Sequence, residues 1–311
     1  MSPKALLLVP LAATALAFAA FWAWHFVRAR AARRRDDPAT DAGAPTLFQL
    51  AIGAVTNFFD TLGVSSFATT TSIFRFSKMV PDRLLPGTLN VGHAFPTFVQ
   101  AAVYTQIIEV DVTTLVLMIA ASVAGAWLGA GVVARLPKQK VQLGMGIALL
   151  VACAFFVARV VQILPSGGNT RELSGGLLAL GLAGNFIFGA LMTIGIGAYA
   201  PIMILVSMLG MEQTTAFPIM MGSCAFLMPV ASAQFVRLGA YALRPALGLA
   251  LGGMPAVLAA AFIVKSMSLD TVRILVVIVV GYTAFTLLRA ATREQVAGAS
   301  ENASENAAGP A

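Results

Sequence analysis

The sequence predicts an all-α polytopic membrane protein built from two inverted repeats, each with a broken hairpin helix, behind an N-terminal anchor helix. Three observations carry that prediction. Hydrophobic residues make up 59% of the 311 positions and charged residues 11%, well short of the roughly 25% charge with which a soluble domain dresses its surface. Apolar runs of about 20 residues, the length that crosses a bilayer as a helix, recur along nearly the whole chain. Two related stretches, Thr61-Leu62-Gly63-Val64-Ser65-Ser66-Phe67-Ala68-Thr69 and Thr193-Ile194-Gly195-Ile196-Gly197-Ala198-Tyr199-Ala200-Pro201, each interrupt such a run. Each is followed by a proline, Pro86 or Pro218, that opens another apolar span. The spacing is 132 residues from Thr61 to Thr193, 128 from Asn57 to Asn185 and 131 from Ala94 to Ala225. Two halves that each carry a Gly-interrupted hydrophobic segment are the pattern of a secondary transporter. The chain lacks the extended apolar–polar alternation of a membrane β-barrel.

Residues 5–27 form the first span. The segment is long for a signal peptide, lacks a small-residue cleavage site and is followed, not preceded, by Arg28, Arg30, Arg33, Arg34 and Arg35. It reads as an uncleaved anchor, residues 1–35 with the arginine cluster, and 36–45 read as a polar linker. The first repeat, 46–163, holds a broken segment at 46–77 and spans near 84–105, 112–134 and 140–163. The second, 174–290, holds 174–211, 217–238, 245–266 and 270–289. The Ala-, Glu- and Asn-rich tail at 291–311 has the composition of a disordered segment.

Loop charges decide how the broken segments sit. If the first enters from the cytoplasm and returns there, Lys78 and Arg83 are cytoplasmic, Glu109 and Asp111 external, and Arg135, Lys138 and Lys140 cytoplasmic. Glu212 then falls outside and Arg237, Arg244, Arg289 and Arg293 inside, as the positive-inside bias requires. Arg171, Lys265 and Arg273 are the exceptions. A hairpin plus three crossings is an odd number, so the second half inserts upside down. The expected location is a bacterial inner membrane, with the N-terminus outside and the C-terminus in the cytoplasm. The net charge of +7 concentrates in the arginine cluster after the anchor, which serves topology and gives no folded face for nucleic acid.

The repeat, the Gly-containing breaks and the small-residue stripe Ala124-Gly125-Ala126-Trp127-Leu128-Gly129-Ala130-Gly131 resemble the TauE/SafE family of sulfite and organosulfonate exporters, over residues 46–290. The family's Gly-Ile-Gly-Gly-Gly break followed by a proline is kept in part as Gly195-Ile196-Gly197 with Pro201, while the first half has Gly63-Val64-Ser65-Ser66 and Thr69 in the proline's place. The resemblance implies export of a small anion, sulfite or a related sulfur oxyanion or organosulfonate, coupled to the proton or the membrane potential.

A helix that stops and restarts in the membrane presents unsatisfied N–H groups and the positive end of its dipole at the restart, a setting for an anion. Restarts are expected near Ser66 and Ala200, with Pro201 in the first turn. The substrate-binding candidates are therefore Gly63, Ser65, Ser66, Thr69, Thr70, Asn57, Asn185, Thr193, Gly195, Gly197 and Tyr199. The competing reading is that the glycines only allow close helix packing. Asp60, the one acidic residue deep in a predicted span, and His93 are the proton-coupling candidates. The opposing reading makes Asp60 a cap on the restarting helix, or a carboxylate neutralised by Arg75 or Lys78, and leaves His93 hydrogen-bonded to a neighbouring helix. Asn57 and Asn185 match between the halves, and Gly125 with Gly129 marks close packing.

Cys153 and Cys224 lie within spans, in neither a disulfide framework nor a CxxC pattern. The methionines, Met220, Met221 and Met228 among them, lack the spacing of a copper site. No Walker motif, hydrolase order or HExxH is present. The expectation is a transporter rather than an enzyme, with no metal or organic cofactor, partnered by lipid, a small anion and protons. The alternatives are an anion channel, an accessory membrane subunit, or a membrane-embedded enzyme using Asp60 and His93.

Overall fold

The computed structural model describes residues 5–32, 43–133, 168–192 and 198–268, with parts of 143–161 and 271–292. Among the described residues the structure is helical, with no strand and one isolated bridge between Thr170 and Met211. The linker 36–45 lies largely, and the tail after 292 wholly, outside the described residues.

Helix α1 (Ala5–Ala32) covers the first predicted span. It buries Leu7, Leu11, Phe18 and Trp22 and leaves Leu6, Leu16, Trp24 and Val27 exposed, an apolar helix with only one stripe against the protein. The Trp22 Nε1–H donates to the Tyr241 hydroxyl at 3.0 Å, and Phe18 and Trp22 pack on Phe95.

The predicted broken segment at 46–77 is observed as α2 (Leu47–Thr61) and α3 (Ser66–Phe76). Thr46 and Gln49 form a capping box that starts α2, each side chain bonding the other's backbone N–H. Its end is dictated by Gly63, whose φ of +99° sits in the left-handed region a side chain avoids. With the Gly63 N–H donating to Asp60 O and the Val64 N–H to Phe59 O, α2 closes in a Schellman motif. After a 3₁₀ turn at Asp82–Leu84, α4 (Leu85–Ile107) begins with Pro86 in its first turn. Helix α5 (Val112–Val133) starts at Asp111, whose Oδ1 accepts from the Thr114 N–H at 2.7 Å.

The second half repeats this order. Helix α6 (Gly175–Met192) and α7 (Tyr199–Met208) flank the segment 193–197, which lies outside the described residues. A 3₁₀ turn at Gln213–Thr215 leads into α8 (Ala216–Leu238), then α9 (Leu243–Ser266). The described residues between 143 and 158 and between 274 and 289 are helical too, where spans 140–163 and 270–289 are expected. Among the described residues, four helical stretches are long and apolar enough to cross a membrane: Ala5–Arg28, Gly175–Met192, Gln213–Leu238 and Leu243–Ser266.

The helices pair in a reciprocal way. Helix α2 packs on α9 and α5 on α6, while α4 meets both α8 and α9, and α8 meets α5. Helices α4 and α8 run antiparallel: the rings of Tyr104 and Phe217 stack 5.0 Å apart near one end, Thr97 meets Met228 in the middle, and Gly87 faces Phe235 at the other. Helices α2 and α9 run parallel, with Gly248 against Gln49 and Gly253 against Asn57. Ile52 of α2, Phe74 of α3 and Leu84, Leu85 and Leu89 share one apolar cluster. Helix α3 therefore returns toward the end where α2 began. Large apolar side chains such as Phe76, Trp127, Val230, Leu238 and Phe262 point outward, as lipid-facing surface does.

The small-residue stripe packs as expected at Gly125. A Cβ there would collide with the Phe186 carbonyl of α6, and Gly189 faces the Ser122 carbonyl of α5 in return. Because the obstacle is backbone, the helices themselves must move. Gly125→Ala is expected to cost about 1–3 kcal/mol through overpacking, read as a lower midpoint of thermal unfolding in detergent.

Arg171, an exception to the positive-inside pattern, is explained by its partners. Its Nε donates to Glu212 Oε2 at 3.0 Å and its Nη1 pairs with Glu109. Glu212, through hydrogen bond and charge, and then Glu109 hold the guanidinium more firmly protonated than usual. The adjoining backbone is pinned as well, with the Asp111 N–H donating to Arg171 O and the Glu212 N–H to Thr170 O. Arg171 is thus a local tie between the α4–α5 and α7–α8 corners, and its charge is answered by carboxylates.

Candidate functional site

The buried polar residues of α2, Gln49 at its start and Thr56, Asn57, Asp60 and Thr61 toward its end, fall on one helical face. In an apolar helix their spare groups must be answered inside the protein. Thr56, Asn57 and Thr61 each send a side-chain bond back to the carbonyl four residues earlier, at 2.8, 2.8 and 2.7 Å. Asp60 cannot do this, having no proton to give when ionised, and it looks for donors across the break.

It finds three. Oδ1 accepts from the Ser66 N–H at 2.7 Å, so the carboxylate at the end of α2 caps the first turn of α3. Oδ2 accepts from Gln100 Nε2 of α4 at 2.9 Å and from the Tyr199 hydroxyl, the first residue of α7, at 3.3 Å. Asp60 is 2% exposed. Four helices, three from the first half and one from the second, thus meet at one side chain. Arg75 and Lys78 are not among the groups acting on it, and no lysine or arginine is its ion-pair partner among the described residues. Asp60 therefore caps the restarting helix through its own carboxylate.

The same amide of Gln100 also donates to Thr61 Oγ1 at 3.0 Å, and the Tyr104 hydroxyl donates to Thr61 O at 2.6 Å. These bonds take up groups freed where α2 stops. Cys224 of α8 lies beside the Tyr199 hydroxyl.

One turn away a second chain of polar groups ties the same elements. Asn57 Nδ2 donates to Gly53 O, which leaves Oδ1 to accept from His93 Nδ1–H at 2.9 Å. His93 Nε2 then accepts from the Thr70 hydroxyl at 3.1 Å. That assignment makes His93 a neutral ring with one donor and one acceptor, both used. Phe67 covers it, with ring centroids 5.7 Å apart.

The sequence-predicted residues thus divide. Asp60, Ser66, Gly63 and Tyr199 meet at the first break, and Asn57, His93 and Thr70 form the adjacent chain. Ser65 and Thr69 are half-buried beside it; the Thr69 hydroxyl turns to the carbonyls of Ser65 and Ser66, and Ser65 makes no side-chain cap. Asn185 is elsewhere: its Nδ2 donates to Met118 O at 2.6 Å and fastens α6 to α5. Thr193, Gly195 and Gly197 lie outside the described residues. Helix α7 restarts at Tyr199, placing Pro201 third in the helix. Gln100, Thr61 and Tyr104 are additions from the structure. A readable signal existed for two of them, since His93, Thr97, Gln100 and Tyr104 recur at helical spacing along an otherwise apolar span. Among the described residues no three His, Cys, Asp or Glu side chains gather as a metal site, and Cys153 and Cys224 are free thiols.

A helical membrane bundle with a buried carboxylate at a helix break is a general device, and the family supplies the chemistry. The family model for the sulfite exporter TauE/SafE matches residues 1–156. The chain belongs to the TauE/SafE family. The family match takes in α1, which the sequence resemblance left outside, and covers the half whose break departs more from the Gly-Ile-Gly-Gly-Gly pattern. No curated protein and no solved structure matches the chain. As a TauE/SafE protein it is a multi-pass membrane protein of a transporter family for sulfur anions.

Proposed function

We propose that this TauE/SafE chain exports a small sulfur oxyanion, sulfite or an organosulfonate, by alternating access. The anion is held near the midplane by the donors of the two breaks: Ser65, Ser66 and Thr69 with Gly63 on one side, Thr193, Gly195, Gly197 and Tyr199 on the other. The observation that carries the reading is the Asp60 junction, in which a carboxylate already occupies the α3 start and reaches Tyr199 of the second half. A place that holds one oxyanion through a backbone N–H, an amide and a phenol has the chemistry to hold another. Asp60 is then the proton-coupling group, while His93, Asn57 and Thr70 keep the hairpin seated and Asn185 serves packing.

The residues 46–163 and 174–290 act as inverted repeats in this reading. The antiparallel run of α4 and α8, which are equivalent elements, supports it, as does the match of the α2–α9 pair to α6–α5. Equivalent helices in a parallel repeat would run in the same direction. The chain sits in a bacterial inner membrane with its N-terminus outside and its arginine cluster and C-terminus in the cytoplasm.

Purified protein in liposomes, loaded with radiolabelled sulfite, provides the test. Saturable flux that unlabelled sulfonate or thiosulfate competes away, and that is lost in Gly63→Val, is the expected result. Flux of no sulfur oxyanion in the native protein refutes the reading.

A further inference from the structure

Gln100 is fully buried, and its two polar atoms have opposite fates. Nε2 serves both Asp60 Oδ2 and Thr61 Oγ1, while Oε1 is buried without a partner. A native structure seldom leaves a buried acceptor empty without a reason. The arrangement around Asp60 is all donors, namely the Ser66 N–H, the Gln100 amide and the Tyr199 hydroxyl, which is the environment of an ionised carboxylate. Once the carboxylate takes up a proton it must donate, and of the groups it touches the Gln100 amide is the one with a buried acceptor that nothing else uses. The empty acceptor lies on the amide that already touches it.

We propose that Gln100 is the positioning residue that couples the proton on Asp60 to movement of the two halves. With Asp60 ionised, the amide donates through Nε2 and Tyr199 is held to the junction. With Asp60 protonated, the amide turns about its last torsion and Oε1 accepts the Asp60 O–H. The protonated carboxyl is a weaker acceptor than the carboxylate, and the Tyr199 bond, at 3.3 Å the longest of the three, is the first to be given up. That frees the start of α7 from the first half, and the proton crosses together with the transported anion. The inference rests on the transport reading above.

The other titratable groups facing Asp60 are Tyr104 on α4, Tyr199 on α7 and Cys224 on α8. On α4 His93 is engaged with Asn57 and Thr70 and does not reach the carboxylate. The two phenols already satisfy their O–H groups on Thr61 O and Asp60 Oδ2, whereas Oε1 of Gln100 is buried with no partner at all.

The experiment compares two fluxes in the same liposomes, sulfite exchange at equal pH and net sulfite flux driven by a pH gradient, in native protein, Asp60→Asn, Gln100→Leu and Gln100→Met. The side-chain amide introduced by Asp60→Asn donates permanently, as the protonated acid does, so stimulation by the gradient, taken relative to the variant's own exchange at equal pH, disappears. The Gln100 variants, each taken relative to its own exchange at equal pH, lose most of the stimulation and shift the pH profile of exchange by about one unit toward higher pH, the size of one lost hydrogen bond to a charged group. Stimulation and pH profile equal to native in either Gln100 variant overturn the inference, whereas absence of exchange in native protein overturns the transport reading instead. Infrared difference spectra of the native protein decide the matter if neither variant folds. A carboxylic-acid band appearing at low pH, absent in Asp60→Asn and accompanied by a side-chain amide change, supports the coupling; a carboxylic-acid band without the amide change refutes it.

Discussion

Asp60→Leu is expected to abolish flux and to lower unfolding stability by about 3–5 kcal/mol, because it leaves three donors facing a buried hydrocarbon, each costing about 1–3 kcal/mol with incomplete additivity. The Ser66 N–H loses its cap, Gln100 loses one of two acceptors, and the Tyr199 hydroxyl loses the bond that ties α7 to the first half. Water cannot easily replace them in a site where Asp60 is 2% exposed. Asp60→Asn keeps one oxygen for the Ser66 N–H and needs only the Gln100 amide and the Tyr199 hydroxyl to turn, so its loss should be about 1 kcal/mol. Thermal unfolding in detergent of the two variants side by side checks the ranking. Equal losses for Asn and Leu would mean that shape, not donor satisfaction, governs the junction.

The break at Gly63 was legible from residue types, and the reasons are local. A glycine able to take φ of +99°, flanked by Asp60 and Ser66, encodes a stop and a restart within six residues. Helices α4, α5, α8 and α9 end within a few residues of the apolar runs that contain them, because length and hydropathy are properties of the chain alone. Gln100 was not legible as a partner of Asp60, because a lone amide in an apolar helix declares neither its direction nor its neighbour. Asn57 and Asn185 match in the repeat yet hold different carbonyls, one within α2 and one on α5, which only the packing of each half decides. The partners of Arg171 were hidden for the same reason: Glu109 and Glu212 are distant in sequence and adjacent in space.

His93→Leu is expected to cost about 2–4 kcal/mol and most of the flux, whereas His93→Gln retains both flux and the native pH profile. The difference follows from the way the ring is used. Nδ1–H gives one bond to Asn57 Oδ1 and Nε2 takes one from the Thr70 hydroxyl, so the side chain works as one donor and one acceptor between α2 and α3. Leucine orphans both partners, which are themselves fully buried, and each orphan costs about 1–3 kcal/mol. A glutamine amide presents the same pair, one N–H and one oxygen, on a flexible chain of similar reach. It carries no titratable proton. If the pH profile of sulfite exchange is unchanged in His93→Gln while Asp60→Asn flattens it, the proton is carried at the α2–α3 break and His93 is the strut that keeps that break in place. If His93→Gln flattens the profile as Asp60→Asn does, the proton pathway runs through the ring, and the hydrogen-bonded chain from Asn57 to Thr70 is its relay rather than a brace.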